Sequence, residues 1–410
     1  MTYNRKSLPT LLLIFVMLFT LTASSTIVGA QDEEPIKVGL VSPFTGAIGF
    51  LGVWMGNSVQ AEINRINENG GLLGRQVELI TRDDEINPAR SVEIVREFID
   101  REEVSLIIGP SFSSNALAVR DLIESSGTIA IFPTAGTVEL LENNPRYLYR
   151  AQESTALTAA ELVNFAIENG YASIAILSPD DAFGQDYDAL LEELTEDADI
   201  EYLGAEFFRD DDQDLTPYAL RIKDTGAEVV IVPTGNSSIA ARAVVALDSV
   251  ESEAQILGIS GLQGYTFAQL AEDAVLGSIF VATYLGYPAE VAFEDMPARY
   301  AEHVQLVIDE YGAVEGASLN TYPGTSLAGL AVWLWEQAVI EAGTLDADAV
   351  ADALDAMSYT ADETPAGVAV SFTPENHEPF GEGSLYFYEW YLKDDGESYG
   401  FREVVMGEDE

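Results

Sequence analysis

From residue 36 onward the chain alternates short apolar runs with stretches in which apolar side chains recur every three or four positions. The runs IKVGLV, VELITR, VSLII and TIAIF predict strands at 36–41, 77–82, 104–108 and 128–132, and the stretches between them predict helices at 56–69, 88–101 and 114–126. Local punctuation agrees. Asn87-Pro88 is a helix start, with Asn as cap and Pro at the first turn where its missing N–H costs nothing, and Gly70-Gly71 ends the preceding helix.

A second series follows, with helices at 155–169, 187–196, 215–225 and 237–249 and strands at 173–177, 202–208, 228–232, 255–258 and 278–282. Long helices at 296–311, 326–342 and 346–357 come next, then strand-like segments at 368–372 and 385–392. Strand and helix alternation of this kind is the sequence of an α/β protein with two doubly wound, parallel-sheet lobes. No repeat and no low-complexity linker separates the two series, so the lobes are expected to be joined by several crossings, near 150–154, 282–284 and 359–364. The expected division is 31–152 plus 284–360 for lobe 1 and 153–283 plus 361–410 for lobe 2. Loops at the strand ends of two facing lobes enclose one cleft, and function is expected there.

The first thirty residues change the compartment. Arg5 and Lys6 form a basic start, 11–21 a short apolar core, and Val28-Gly29-Ala30 a small-residue cleavage site before Gln31. An apolar stretch of that length falls short of the about 20 residues a membrane helix needs, so 1–30 reads as a signal peptide and the protein as periplasmic or extracellular, with no membrane insertion after cleavage. The chain has no cysteine, which excludes disulfides and a lipidated Cys. It carries 69 acidic against 19 basic residues, a formal charge of −50, and only Lys6, Lys37, Lys223 and Lys393 are lysines. Such a surface disfavours nucleic acid and anionic membrane, and it suits either plain solubility or a saline medium that screens its self-repulsion.

Two turns carry candidate chemistry. Gly109-Pro110-Ser111-Phe112-Ser113-Ser114 follows the third strand and opens a helix, so Ser113 or Ser114 either caps that helix or offers its hydroxyl, with unpaired backbone N–H groups, to an anion or carbonyl oxygen. Pro133-Thr134-Ala135-Gly136-Thr137 follows the neighbouring strand and points to the same spot. Catalytic and metal signals are weak: His303 and His377 are expected at the surface, and G-x-S-x-G, H-E-x-x-H and the P-loop pattern are absent. The acidic run at 210–214 has Arg221 where an EF-hand loop needs its closing Glu. Asn236-Ser237-Ser238 matches a glycosylation sequon. No cofactor is implied.

The segments IKVGLVSPFTGAIGFLG, INENGGLLGRQVELITRDDEINP, LIIGPSFSS, SPDDAFGQDY and AEDAVLGSIF, in this order and spacing, resemble the periplasmic substrate-binding proteins of branched-chain amino acid ABC importers. The resemblance spans nearly the whole mature chain and implies the type I periplasmic binding protein fold, a small-molecule ligand, permease subunits as partners and a monomer. Carried over by motif, the ligand's carboxylate and ammonium fall to Ser113, Ala135 and the Gly136-Thr137 step, with Ser114 beside them as a further candidate, although the family usually has a hydroxyl residue where Gly136 stands. Further contacts are implied at Leu51 and Trp54 in the first lobe and at Phe183 and Asn236 in the second. Phe183 replaces the tyrosine that the family commonly has. Ser260 stands where amino-acid binders have an acid for the ammonium, so either Asp180 or Asp181 supplies the charge or the ligand has no ammonium. Trp54, Tyr265, Tyr284 and Tyr287 are expected to cover an apolar tail. The alternatives are an extracellular sensor of the same fold and, more remotely, a secreted hydrolase using paired carboxylates.

Overall fold

In a computed structural model, residues 34–46, 48–209, 211–283, 295–312, 323–381 and 383–404 are described, residues 265 and 323–326 by backbone alone. Two units divide the chain, 1–35 and Ile36–Glu410, and everything below concerns the second. Among its described residues are two open sheets and a two-stranded ribbon.

The first lobe is built from β1 (Ile36–Ser42), α1 (Gly49–Glu68), β2 (Val77–Asp83), α2 (Pro88–Glu97), β3 (Leu106–Ile108), α3 (Ser113–Ser126), β4 (Ala130–Phe132) and β5 (Leu148–Arg150). Its strands run parallel in the order β2-β1-β3-β4-β5. The buried positions of β1, β3 and β4 are almost entirely apolar, as expected of strands covered on both faces by helices. Asn87 caps α2 by accepting from Ala89 N at 3.0 Å, as its sequence position predicts.

The second lobe begins with α4 (Thr155–Glu168), β6 (Ser173–Pro179), α5 (Ala182–Thr195), β7 (Glu201–Phe208), α6 (Thr216–Thr225), β8 (Val229–Val232), α7 (Ser237–Ser249), β9 (Gln255–Gly258), α8 (Tyr265–Ala271) and β10 (Ile279–Thr283). After α9 (Ala298–Tyr311), α10 (Pro323–Ala342), α11 (Ala347–Asp355) and the small ribbon β11 (Ser358–Tyr359) and β12 (Val370–Ser371), the chain adds β13 (Leu385–Leu392) and β14 (Tyr399–Val404). The second sheet runs β14-β13-β10-β9-β8-β6-β7, and its last two strands are antiparallel, so one edge departs from the purely parallel expectation.

Core membership corrects the lobe boundary. Ala366, Val368, Val370, Phe372 and Phe380 pack with β1, α1 and α10 in the first lobe, whereas Phe387, Tyr388, Trp390 and Phe401 pack in the second. The last crossing therefore lies between 380 and 385, not at 359–364, because the apolar side chains of 366–380 cover the first sheet. Arg150 N donates to His377 O at 3.2 Å and Arg150 Nε lies 3.1 Å from Glu378 Oε2, which ties this crossing to the first. The crossing expected at 282–284 begins at the end of β10 and continues outside the described residues, as do Tyr284, Tyr287 and the leader 1–30.

Both histidines are buried, against expectation. His303 (1% exposed) joins α9 to α1, with Nδ1 2.6 Å from Glu62 Oε1 and Nε2 3.0 Å from Ser58 Oγ. His377 stacks on Tyr149 with ring centroids 4.0 Å apart and lies 2.9 Å from Asp355. Each occurs in a polar stretch of sequence, but each lies against a buried carboxylate from a distant element, which favours its burial.

Candidate ligand-binding cleft

A cavity of about 790 Å³ lies between the lobes. Its position follows from strand order. In the first sheet the chain leaves β1 toward β2 on one side and β3 follows on the other. In the second, β7 and β8 flank β6 on opposite sides. Loops diverge at such switch points and leave a crevice at the carboxyl ends of the strands. The lining residues Thr45 after β1, Ser111 to Asn115 after β3, Asp181 and Phe183 after β6, and Thr234 to Asn236 after β8 come from these loops or the first turn of the helix that follows. A groove of about 1180 Å³ lies between α5 and the start of β7, and Asp188, Glu192, Glu193, Glu196, Asp199 and Glu201 are among the residues that line it.

The first-lobe wall is rich in hydroxyl groups. Gly109, at φ +85°, turns the chain from β3 toward α3, and a Cβ there would stand 2.4 Å from Val41 O. Ser111 Oγ is engaged with Ser42 Oγ at 2.8 Å, and Thr134 Oγ1 donates to Ser111 O at 2.7 Å. Ser113 is different. Helix α3 starts at Ser113 with Phe112 as its cap residue and no side-chain cap, and Ser113 Oγ is buried without a hydrogen-bond partner. Of the two roles open to it in the sequence, capping is thus excluded. Ser113, Ser114 and Asn115 all line the cavity, so the positive end of α3, with its unpaired N–H groups, borders it too.

The second turn contributes differently from its expected role. Ala135, Gly136 and Thr137 do not line the cavity but stand behind it. Thr137 O accepts from Arg150 Nη2 at 2.8 Å, and Gly136 O accepts from Thr155 N at 2.9 Å. Turned to satisfy both its bonds, the Gln152 amide donates to Pro133 O at 3.2 Å and accepts from Gly136 N at 3.0 Å. Gly136 packs against Phe183 of the second-lobe wall.

On that wall, Phe183, Asp181, Asn236 and Ser260 line the cavity as expected, and Leu51 faces them from the first lobe. Asp181 caps α5, accepting from Gly184 N at 2.8 Å, and Asn236 caps α7, accepting from Ser238 N at 3.0 Å. Asp180 stands outside the lining and accepts from Gln185 Nε2 at 2.9 Å. Trp54 stands outside as well, tilted on Phe50 with centroids 5.0 Å apart. The Tyr265 side chain lies outside the described residues. The rings that border the cavity are Phe112, Phe183 and Tyr187.

Sequence reasoning missed Gln152, Glu153, Tyr187 and Arg242. Gln152 and Glu153 fall within the first expected crossing, and a crossing that borders a cleft is a place to look for ligand contacts. Burial pushes the Glu153 carboxyl above the usual carboxylate range, opposed by the Arg150 charge. Arg150, fully buried, is itself pushed down by desolvation against the pull of Glu378, Asp186 and Glu153.

The hydroxyl–imidazole–carboxylate line of Ser58, His303 and Glu62 has the order of a nucleophilic relay, but all three are buried among α1, α9 and α10 and none borders the cavity. Among the described residues no group of His, Asp and Glu is arranged to hold a metal, and no helix is long and apolar enough to cross a membrane.

A family model described as "Periplasmic binding protein" matches residues 35–397. The Leu/Ile/Val-binding protein BraC3 of Rhizobium johnstonii is 26% identical over 72% of this chain and 82% of its own. A solute binding protein of an ABC transporter from Rhodopseudomonas palustris BisB5, solved with 3,4-dihydroxy benzoic acid, superposes at TM-score 0.74 with 23% identity, covering 92% of this chain and 99% of that one. The branched-chain amino acid transporter substrate binding protein LivJ of Streptococcus pneumoniae, solved with isoleucine, superposes at TM-score 0.72 with 18% identity over 90% of this chain and 100% of that one.

Proposed function

The chain belongs to the periplasmic binding protein family, and from that premise we propose that it is an extracytoplasmic solute-binding protein that closes its lobes on one small ligand with a carboxylate or amide head and hands it to an ABC permease. The observation that carries this reading is the Ser113 hydroxyl, buried and unpartnered at the head of α3 on the cavity wall. A buried polar atom left unpaired costs about 1–3 kcal/mol, and a ligand oxygen that accepts from it recovers that cost. Isoleucine and dihydroxybenzoic acid, bound by two structural neighbours, have a carboxylate in common.

No bond making is required. A ligand that touches Ser113 in one lobe and Phe183 or Ser260 in the other contacts both only when they are together, so it shifts the open and closed populations by that difference in affinity. One chain supplies both walls, which suits a monomer. A signal peptide at 1–30 and a strongly acidic surface fit a periplasmic or extracellular site of action.

The test is a thermal-shift panel of amino acids, amides, urea and aliphatic and aromatic carboxylates on the chain lacking 1–30. A true ligand at 100 times its dissociation constant adds about 2.7 kcal/mol of stability. Stabilisation by members of one chemical class supports the reading. No response across the panel, or turnover of a compound in it, removes it.

A further inference from the structure

Among the described residues, two cavity-lining side chains hold a buried polar atom without a hydrogen-bond partner: Ser113 Oγ and Glu153 Oε2. They are chemically opposite in what they lack. Ser113 has a hydroxyl to donate, whereas the Glu153 carboxylate, once ionised against a bound cation, can only accept. The other carboxylates bordering the cavity are committed. Asp181 Oδ1 caps α5, and Glu85 is exposed and paired with Arg90 at 2.6 Å. Ser260, at the position where relatives were expected to have an acid, carries no charge.

The surroundings of Glu153 leave its charge underpaid on one side. Arg150, whose charge acts on Glu153, is engaged elsewhere: Nη2 donates to Thr137 O at 2.8 Å and Nε faces Glu378 at 3.1 Å. Desolvation dominates at Glu153, which is the condition in which an incoming cation gains most.

Building on the reading of the cleft as a solute site, we propose that Glu153 is its ammonium receptor: the ligand carries a protonated amine that donates to Glu153 Oε2 while its carboxylate or amide oxygen accepts from Ser113. Recognition of the positive group is thereby moved from the second-lobe loop at Ser260 to the crossing between the lobes. The ligand's charge then meets the segment about which the lobes move.

The test uses matched pairs that differ only in the amine: leucine and isocaproate, phenylalanine and hydrocinnamate, γ-aminobutyrate and butyrate. Each is titrated by calorimetry into the wild-type chain and into Glu153→Gln, which keeps the side chain's size, with Glu153→Asp as a charge-retaining control and the melting temperature of each variant recorded. For the pair that binds, the wild type is expected to favour the amine by about tenfold or more, Glu153→Gln to lose most of that preference, and the des-amino member to change by less than about threefold. A wild type that binds both members alike, or a Glu153→Gln variant that keeps the preference, overturns the assignment while leaving the cleft reading intact. Absence of binding by every member, together with a silent thermal-shift panel, instead brings down the cleft reading and this assignment with it.

Discussion

Gly136 of the first lobe and Phe183 of the second meet directly: a Cβ at 136 would stand 2.8 Å from Phe183 Cε2. With Ser260, these are the positions where the sequence is expected to depart from the family pattern, a glycine for a hydroxyl residue and a phenylalanine for a tyrosine. These last two departures are one feature. Removing the side chain at 136 lets the ring at 183 lean onto the first-lobe turn.

Gly136→Ser is therefore expected to drive the lobes apart at this contact. Overpacking of this kind costs about 1–3 kcal/mol, which should appear as weaker ligand binding in calorimetry. The double variant Gly136→Ser/Phe183→Ala should recover part of the loss, since the interfering ring is gone. Additive losses in the double-mutant cycle would show that the two residues act independently.

Ser113→Ala removes a hydroxyl that serves no cap and has no partner. The ligand-free protein should melt at an unchanged or slightly higher temperature, while affinity for the ligand falls by about 1–3 kcal/mol. A drop in melting temperature without a drop in affinity would return Ser113 to a structural role.

Asp186 on α5 reaches across to the first lobe, accepting from Val138 N at 3.0 Å as well as from the Thr155 hydroxyl. Asp186→Ala deletes this interlobe bond and also releases the hydroxyl of Thr155, which lines the cavity. A larger radius of gyration in solution scattering of the ligand-free protein and a roughly tenfold loss of affinity are expected, the equivalent of about 1.4 kcal/mol. Unchanged scattering and affinity would mean that the bond does not hold the lobes together.

Burial and charge compete at Glu62, where desolvation raises the carboxyl's pKa but His303, Arg299 and Arg65 outweigh it and bring it down to about 2. A carboxylate depressed below its unfolded value stabilises the fold at pH values above the unfolded pKa, and that contribution is lost as pH falls through the folded pKa. Between about pH 4.5 and 2 the wild type should lose on the order of 3 kcal/mol from this group. Urea denaturation at pH 7 should show Glu62→Gln clearly less stable, and the gap should shrink below about pH 4.5. A gap that does not vary with pH would exclude the charge as its cause.

Most strands and helices were legible because their apolar periodicity is local: α7 and β13 fall on the residues expected for them. Strand β5 was missed because three residues ending in Arg150 have no alternation to read, and β14 because Glu403 and Arg402 interrupt its apolar face. The site was legible in its loops but not in its roles. Ser113, Phe183, Asp181, Asn236, Ser260 and Leu51 reach the cavity. The turn 135–137 stands behind it because Arg150 and Gln152 hold its backbone, which is tertiary information. The same holds for His303 and His377, whose carboxylate partners lie far away in sequence.

The central claim is that the cleft between the lobes binds one small solute through Ser113. Calorimetric titration of the solute that gives the largest thermal shift, into wild type and Ser113→Ala, tests it most directly. One site per chain is expected, with affinity in the variant about tenfold or more weaker, the loss of one buried hydrogen bond. Equal affinity in the two proteins would contradict the account.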